Sequence, residues 1–180
     1  MNRKTFISKI AKLGMGTGAL FFLGKSDRIA AETSAPEQED AHRKFRTNWI
    51  KNLLRVMDET MKPEQQVDFM EQCGRACAAT ASLKEAEKFK GDLAGWLSTL
   101  KKWVGEQNVQ QDGRKIVVKY SKCFCPMVAD IEEQLPPTYC HCSKGWLKAV
   151  FETVVSHETA VTLHESIKSG GGKCRFTVEI

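Results

Sequence analysis

Val161-Thr162-Leu163-His164-Glu165-Ser166-Ile167-Lys168-Ser169-Gly170-Gly171-Gly172-Lys173-Cys174-Arg175-Phe176-Thr177-Val178-Glu179-Ile180 is the stretch that decides the fold class. Val161, Leu163, Glu165 and Ile167 alternate with Thr162, His164 and Ser166. After the three glycines, Cys174, Phe176, Val178 and Ile180 alternate again. A period of two places one side-chain set on each face of a strand, and a glycine run between two such strands predicts an antiparallel hairpin. A hairpin with one apolar face needs a covering layer, so helices are expected on one side of a small sheet.

Working outward, Val109-Gln110-Gln111-Asp112-Gly113-Arg114 followed by Lys115–Tyr120 reads as a second hairpin, with Asp-Gly at its turn. Between the hairpins, Pro126 is expected to open a short helix (PMVADIEEQ) that Pro136-Pro137 ends. Trp146, Leu147, Val150, Phe151 and Val154 mark a longer helix with Ser143 as N-cap. The first half reads helical. Phe45, Trp49, Leu53, Met57 and Met61 recur every fourth residue, with Ile50 and Leu54 widening the stripe. Pro63 opens a second helix carrying Phe69, Cys73 and Cys77 to about Ala79. A third runs from a Ser82 cap through Phe89, Leu93, Trp96, Leu97, Leu100 and Val104 to Gly105. Helices followed by strands with interspersed helices predict an α+β fold: N-terminal helices packed with a small antiparallel sheet and a C-terminal helix–hairpin unit.

The chain of 180 residues carries 27 Lys+Arg against 22 Asp+Glu, a net charge of +5. Residues 1–31 contain six of those bases (Arg3, Lys4, Lys9, Lys12, Lys25, Arg28) and one acid (Asp27), leaving 21 of each elsewhere (27 − 6 and 22 − 1). A neutral body argues against nucleic acid as a default partner. Met1–Lys12 is a basic segment, and Leu13–Gly24 is apolar but too short and glycine-rich for a membrane span, which needs about 20 apolar residues. Together they read as an export signal with a cleavage site after Ile29-Ala30-Ala31. Arg3-Lys4-Thr5-Phe6-Ile7 resembles a twin-arginine signal, with Lys4 where that pattern has its second arginine. The expected organisation is a signal over 1–31, a polar linker over 32–40 and one cysteine-rich domain over 41–180. The domain is placed in the bacterial periplasm or cell envelope, with no stable membrane span once the signal is removed.

Seven cysteines fall in the body: Cys73-x3-Cys77, Cys123-x-Cys125, Cys140-x-Cys142 and Cys174. In an extended segment, residues i and i+2 project the same way, so each Cys-x-Cys pair would offer two sulfurs to one side. Both pairs precede expected helix starts, where thiolates are favoured. Cys123, Cys125, Cys140 and Cys142 are therefore the candidate metal ligands, for zinc or an iron–sulfur cluster, although common motifs of that kind use Cys-x2-Cys. In an oxidising compartment the same four would form two disulfides. Cys73, Cys77 and Cys174 either line a cofactor site or pack as small apolar side chains. Gly74, inside a helix, hints at a close approach.

His141, between two cysteines, could assist a thiolate in a Cys–His pair. His164 lies on the polar face of its strand, and His42 and His157 read as linker and turn residues. Glu132, Glu133 and Asp130 read as a solvated helix face. No P-loop, Rossmann glycine pattern, zincin motif or Gly-x-Ser-x-Gly elbow is present.

The C-terminal third also carries a resemblance. Tyr139-Cys140-His141-Cys142-Ser143-Lys144-Gly145-Trp146, the helix through Phe151-Glu152, Val161–Ile167, and Gly171-Gly172-Lys173-Cys174-Arg175-Phe176 resemble the L-2-amino-thiazoline-4-carboxylate hydrolase-like proteins and the vinyl-reductase (4VR) domain. The resemblance implies an α+β domain with a small-molecule ligand, and a cysteine-bound metal for the second group. Three functions stand side by side as expectations. One is an exported small-molecule-binding domain with a cysteine-based metal or cofactor site. Another is a cysteine-dependent hydrolase of a small cyclic amide or thiazoline, with Cys140 or Cys142 as nucleophile and His141 or His164 as base. The third is a non-catalytic disulfide-stabilised domain.

Overall fold

The computed structural model describes residues 35–180, and the expected export signal lies outside them. Five helices and a four-stranded antiparallel sheet make up the α+β domain. The helices are α1 (Ala35–Thr60), α2 (Pro63–Ala81), α3 (Leu83–Glu87), α4 (Leu93–Val104) and α5 (His141–Val155). The strands are β1 (Val109–Asp112), β2 (Lys115–Tyr120), β3 (Ala160–Glu165) and β4 (Cys174–Glu179). Strand order is β1-β2-β4-β3. No helix of the described residues is long and apolar enough to cross a membrane.

Both hairpins form as their alternation requires. Ile116, Val118 and Tyr120 face inward from β2 and meet Val178, Phe176 and Cys174 of β4 as direct partners. The β1–β2 connection is two residues long, but they are Gly113-Arg114, since Asp112 pairs with Lys115. Gly113 takes a φ of +55°, the left-handed value that such a turn demands at its first position and that glycine adopts freely. Near Leu163 and Glu165 the β3–β4 register shifts, leaving His164 at a bulge.

The inner sheet face packs on Trp96 and Leu100 of α4 and on Leu147, Val150, Phe151 and Val154 of α5, all buried. A second core joins α1 and α2 to the segment after β2, through Ile50, Leu54, Met57, Met70, Val128, Ile131 and Leu135.

Five local expectations are corrected. Helix α1 begins at Ala35, so residues 35–40 of the stretch read as linker are helical. Its buried face is Thr47, Ile50, Leu54 and Met57, whereas Phe45 is 72 % and Trp49 54 % exposed. Of the expected stripe, Ile50, Leu54 and Met57 are buried and Leu53 and Met61 pack against them, while Phe45 and Trp49 fall outside the covered face. The third helix breaks in two, because Gly91 turns at φ +80° and the Asp92 carboxylate accepts the Gly95 N–H at 2.9 Å, starting α4 afresh. The expected helix after Pro126 is a single turn, with Val128 and Ala129 N–H groups donating to the Cys125 carbonyl. Its Val128, Ile131 and Leu135 mimic helical spacing, but the chain is drawn out instead. Asp130 pairs with Arg46 of α1, and the Leu135 N–H donates to the Lys168 carbonyl at 2.6 Å. Finally, α5 starts at His141, running on from a 3-10 turn over Pro137–Cys140, so Ser143 sits inside the helix and does not cap it.

Candidate functional site

Two glycines bring the thiols together. A Cβ on Gly74 of α2 would lie 1.9 Å from the Cys142 carbonyl oxygen, and one on Gly145 of α5 would lie 2.0 Å from the Glu71 carbonyl oxygen. Only glycine permits this backbone-to-backbone approach. It sets Cys73 and Cys77, one helical turn apart on α2, beside Cys142 on the first turn of α5. Arg75, between those two cysteines, clamps the same helix pair by a bidentate contact with Glu152 at 2.7 and 3.1 Å. Burial alone would raise the Glu152 carboxyl, but the Arg75 guanidinium overrides it and holds the pKa below the ordinary value.

The segment after β2 lays Cys123 and Cys125 over the same region. The sulfur of Cys125 lies 3.7 Å from the Tyr139 hydroxyl. Cys140 is buried in the 3-10 turn, with the Ser166 and Ser169 hydroxyls facing it. Cys174 is buried opposite Tyr120 in the β2–β4 pair, near the Ile167 backbone N–H. All seven cysteines are free thiols, and they come from four separate segments of the chain.

The thiols influence one another. Burial first, and then the neighbouring thiols of Cys125, Cys77, Cys73 and Cys140, push Cys142 up to about 12. Burial pushes Cys174 up to about 11, with Cys140 and Cys123 adding to it. Burial also raises Cys140 and Cys123. The serine hydroxyls oppose it at Cys140, and the Cys125 N–H and Lys168 ammonium oppose it at Cys123. Cys123, Cys125, Cys140 and Cys142 share the second apolar core, while Cys174 belongs to the core beneath the sheet. Cys140 and Cys142 sit in helical backbone, so this Cys-x-Cys pair does not project two sulfurs to one side as extended geometry would. As the side chains stand, no group of three or more His, Cys, Asp or Glu among the described residues is placed to hold one metal ion.

The histidines are less involved. His141 is half-buried and its Nδ1 has no hydrogen-bond partner; burial and Lys144 lower its pKa against an opposing Glu71. His164 bonds Thr177 at 2.8 Å on the open face of the sheet, opposite to the face that buries Cys174. His42 and His157 are exposed.

Sequence reasoning missed several participants. Met57, Met61 and Met70 share the apolar cluster that contains Cys123, Cys125, Cys140 and Cys142. In the sequence, Met57 and Met61 read only as helix stripe. Lys168 is 7 % exposed, with its Nζ donating to the Ile131 carbonyl. The alternation around Ile167 gave no sign that this lysine turns inward. Two surface hollows, of about 460 Å³ beside Arg43 and Glu132 and about 370 Å³ on the open sheet face around Val117 and His164, contain no cysteine.

Residues 24–180 match a protein family described as a family of unknown function (DUF6144). No curated protein matches the chain.

Proposed function

The chain belongs to the DUF6144 family, and we propose that its domain binds a soft metal ion or metal–sulfur cofactor through cysteine thiolates. The observation that carries this reading is the packing of four unpaired thiols, Cys123, Cys125, Cys140 and Cys142, in the one apolar cluster that joins α1, α2 and the segment after β2. Thiolates are the donors that zinc, iron–sulfur clusters and monovalent copper prefer. The donor set fits such a group in chemistry and number. Cys123, Cys125, Cys140 and Cys142 would hold it, and binding would have to draw them closer together than they stand. A bound metal supplies positive charge that makes buried thiolates tolerable. It would also fasten the segment after β2 to the start of α5.

What supports binding over hydrolysis is the setting of the thiols. A nucleophilic cysteine works from a lowered pKa beside an oriented base. Burial raises Cys140 and Cys142 instead, and His164 faces away. A small-molecule ligand has the open sheet face as its candidate seat, where Gln111, Lys115, Thr162, His164 and Thr177 line the 370 Å³ hollow. Export to the periplasm or cell envelope is proposed on the sequence of Met1–Ala31.

Metal analysis of the purified chain, beside Cys123→Ser and Cys140→Ser, tests the reading. Bound metal that both substitutions remove is expected. An apoprotein with two mapped disulfides contradicts it.

A further inference from the structure

The cluster that buries Cys140, with Cys123, Cys125 and Cys142 half-buried against it, is rich in sulfur of a second kind. Met57 and Met70 are buried in it and Met61 is half-buried, alongside Cys123, Cys125, Cys140 and Cys142. Thioether and thiolate together are the soft donors that select monovalent copper, whereas divalent zinc gains little from thioethers.

Coordination number points the same way. A tetrahedral zinc site needs four donors drawn to one point, a larger rearrangement from where the described thiols stand than a pair requires. A monovalent d10 ion is satisfied by two thiolates, with a thioether as a weak third donor. Charge gives a third argument. Two thiolates on a monovalent ion carry −1, which one buried ammonium balances; four on a divalent ion carry −2. Lys168 supplies one such ammonium, buried near Cys123 with the Ile131 carbonyl as its hydrogen-bond acceptor. Isolated buried charge is costly, so a buried cation beside thiols finds its counterpart in a complex of net negative charge.

We propose that this site takes Cu(I) on a pair of thiolates from Cys123, Cys125, Cys140 and Cys142, with the thioethers of Met57, Met61 and Met70 walling the ion. The proposal rests on the cysteine-site reading above and names its metal.

The test is an oxygen-free titration of the full chain with Cu(I) against a chromophoric Cu(I) chelator, and with Zn(II) against a zinc chelator. It is repeated for the Met57→Leu/Met61→Leu/Met70→Leu variant. Leucine nearly conserves methionine's volume, and circular dichroism reports whether the fold is kept. Should the triple variant not fold, Met61→Leu alone, at the half-buried position, carries the same comparison. The chain is expected to take Cu(I) from the chelator, and loss of the thioethers to weaken Cu(I) at least about tenfold while Zn(II) is unchanged. Zn(II) binding without Cu(I) binding, or Cu(I) affinity indifferent to the methionines, overturns this inference and leaves the cysteine site standing. Binding of neither metal, with all seven thiols open to alkylation, removes both.

Discussion

Gly74→Ala puts a methyl group where α2 and α5 touch. The new Cβ would meet the Cys142 carbonyl oxygen at 1.9 Å and the Trp146 nitrogen at 2.8 Å. Ordinary contact starts at 3.4 Å, so the helices must part by roughly 3.4 − 1.9 = 1.5 Å. Both obstacles are backbone atoms, which no rotamer change can move aside. Overpacking of this kind costs about 3 kcal/mol, the upper end of its usual range. Alanine recovers about 1 kcal/mol over glycine in a helix interior. The net loss is about 2 kcal/mol, or about 4–8 °C in Tm for a domain of this size. Thermal unfolding by circular dichroism reads it, with Gly172→Ala as control, since a Cβ there meets its nearest atom at 3.9 Å. Gly145→Ala opens the same gap from the other helix, so the double variant should lose less than the two single losses combined. A Gly74→Ala protein as stable as the parent, or more so as helix propensity alone dictates, would refute the close-approach account of how Cys73 and Cys77 reach Cys142.

Three further outcomes are expected. Cys142 and Cys174 are raised by burial in the folded state, so an unfolded thiol ionises first, and the stability they contribute is complete below about pH 9. It falls as pH rises toward their folded values of about 12 and about 11, which urea unfolding of the reduced apoprotein between pH 8 and 11 reads as a falling midpoint; a flat profile contradicts their burial. Glu152 shows the opposite sign: its carboxyl is held below the ordinary value by Arg75, so its contribution is present at neutral pH and lost as pH falls through the folded pKa. In Arg75→Gln, the acid limb of the stability curve should flatten. On α1, Ile50→Ala should cost about 2–5 kcal/mol and Phe45→Ser no more than about 0.5 kcal/mol by chemical denaturation, and the reverse order would restore Phe45 and Trp49 to the core face.

The sheet was legible because its signals are local. Alternation in Val161–Glu165 and Cys174–Ile180, and a glycine at position 113, need no distant partner to be read. On α1 only Phe45 and Trp49 were misplaced, because they recur at the same interval as the buried set while burial depends on what α2 and the segment after β2 cover. The turn after Pro126 was misread because Val128, Ile131 and Leu135 repeat like a helix while being held from outside by Arg46 and Lys168. Of the site, the cysteines could be named but not assembled. Gly74 hinted at a close approach; its counterpart Gly145 lies 71 positions further on, and nothing local joins them. Met57, Met70 and Lys168 join the thiols only through tertiary packing, so composition alone could not mark them.

The central claim is that these thiols are metal ligands. X-ray absorption at the edge of the metal bound to the purified, oxygen-protected chain tests it most directly. The account predicts a first shell of sulfur alone, at about 2.3 Å or slightly shorter. A shell of oxygen and nitrogen would contradict it, as would a metal-free protein with its cysteines joined at about 2.05 Å.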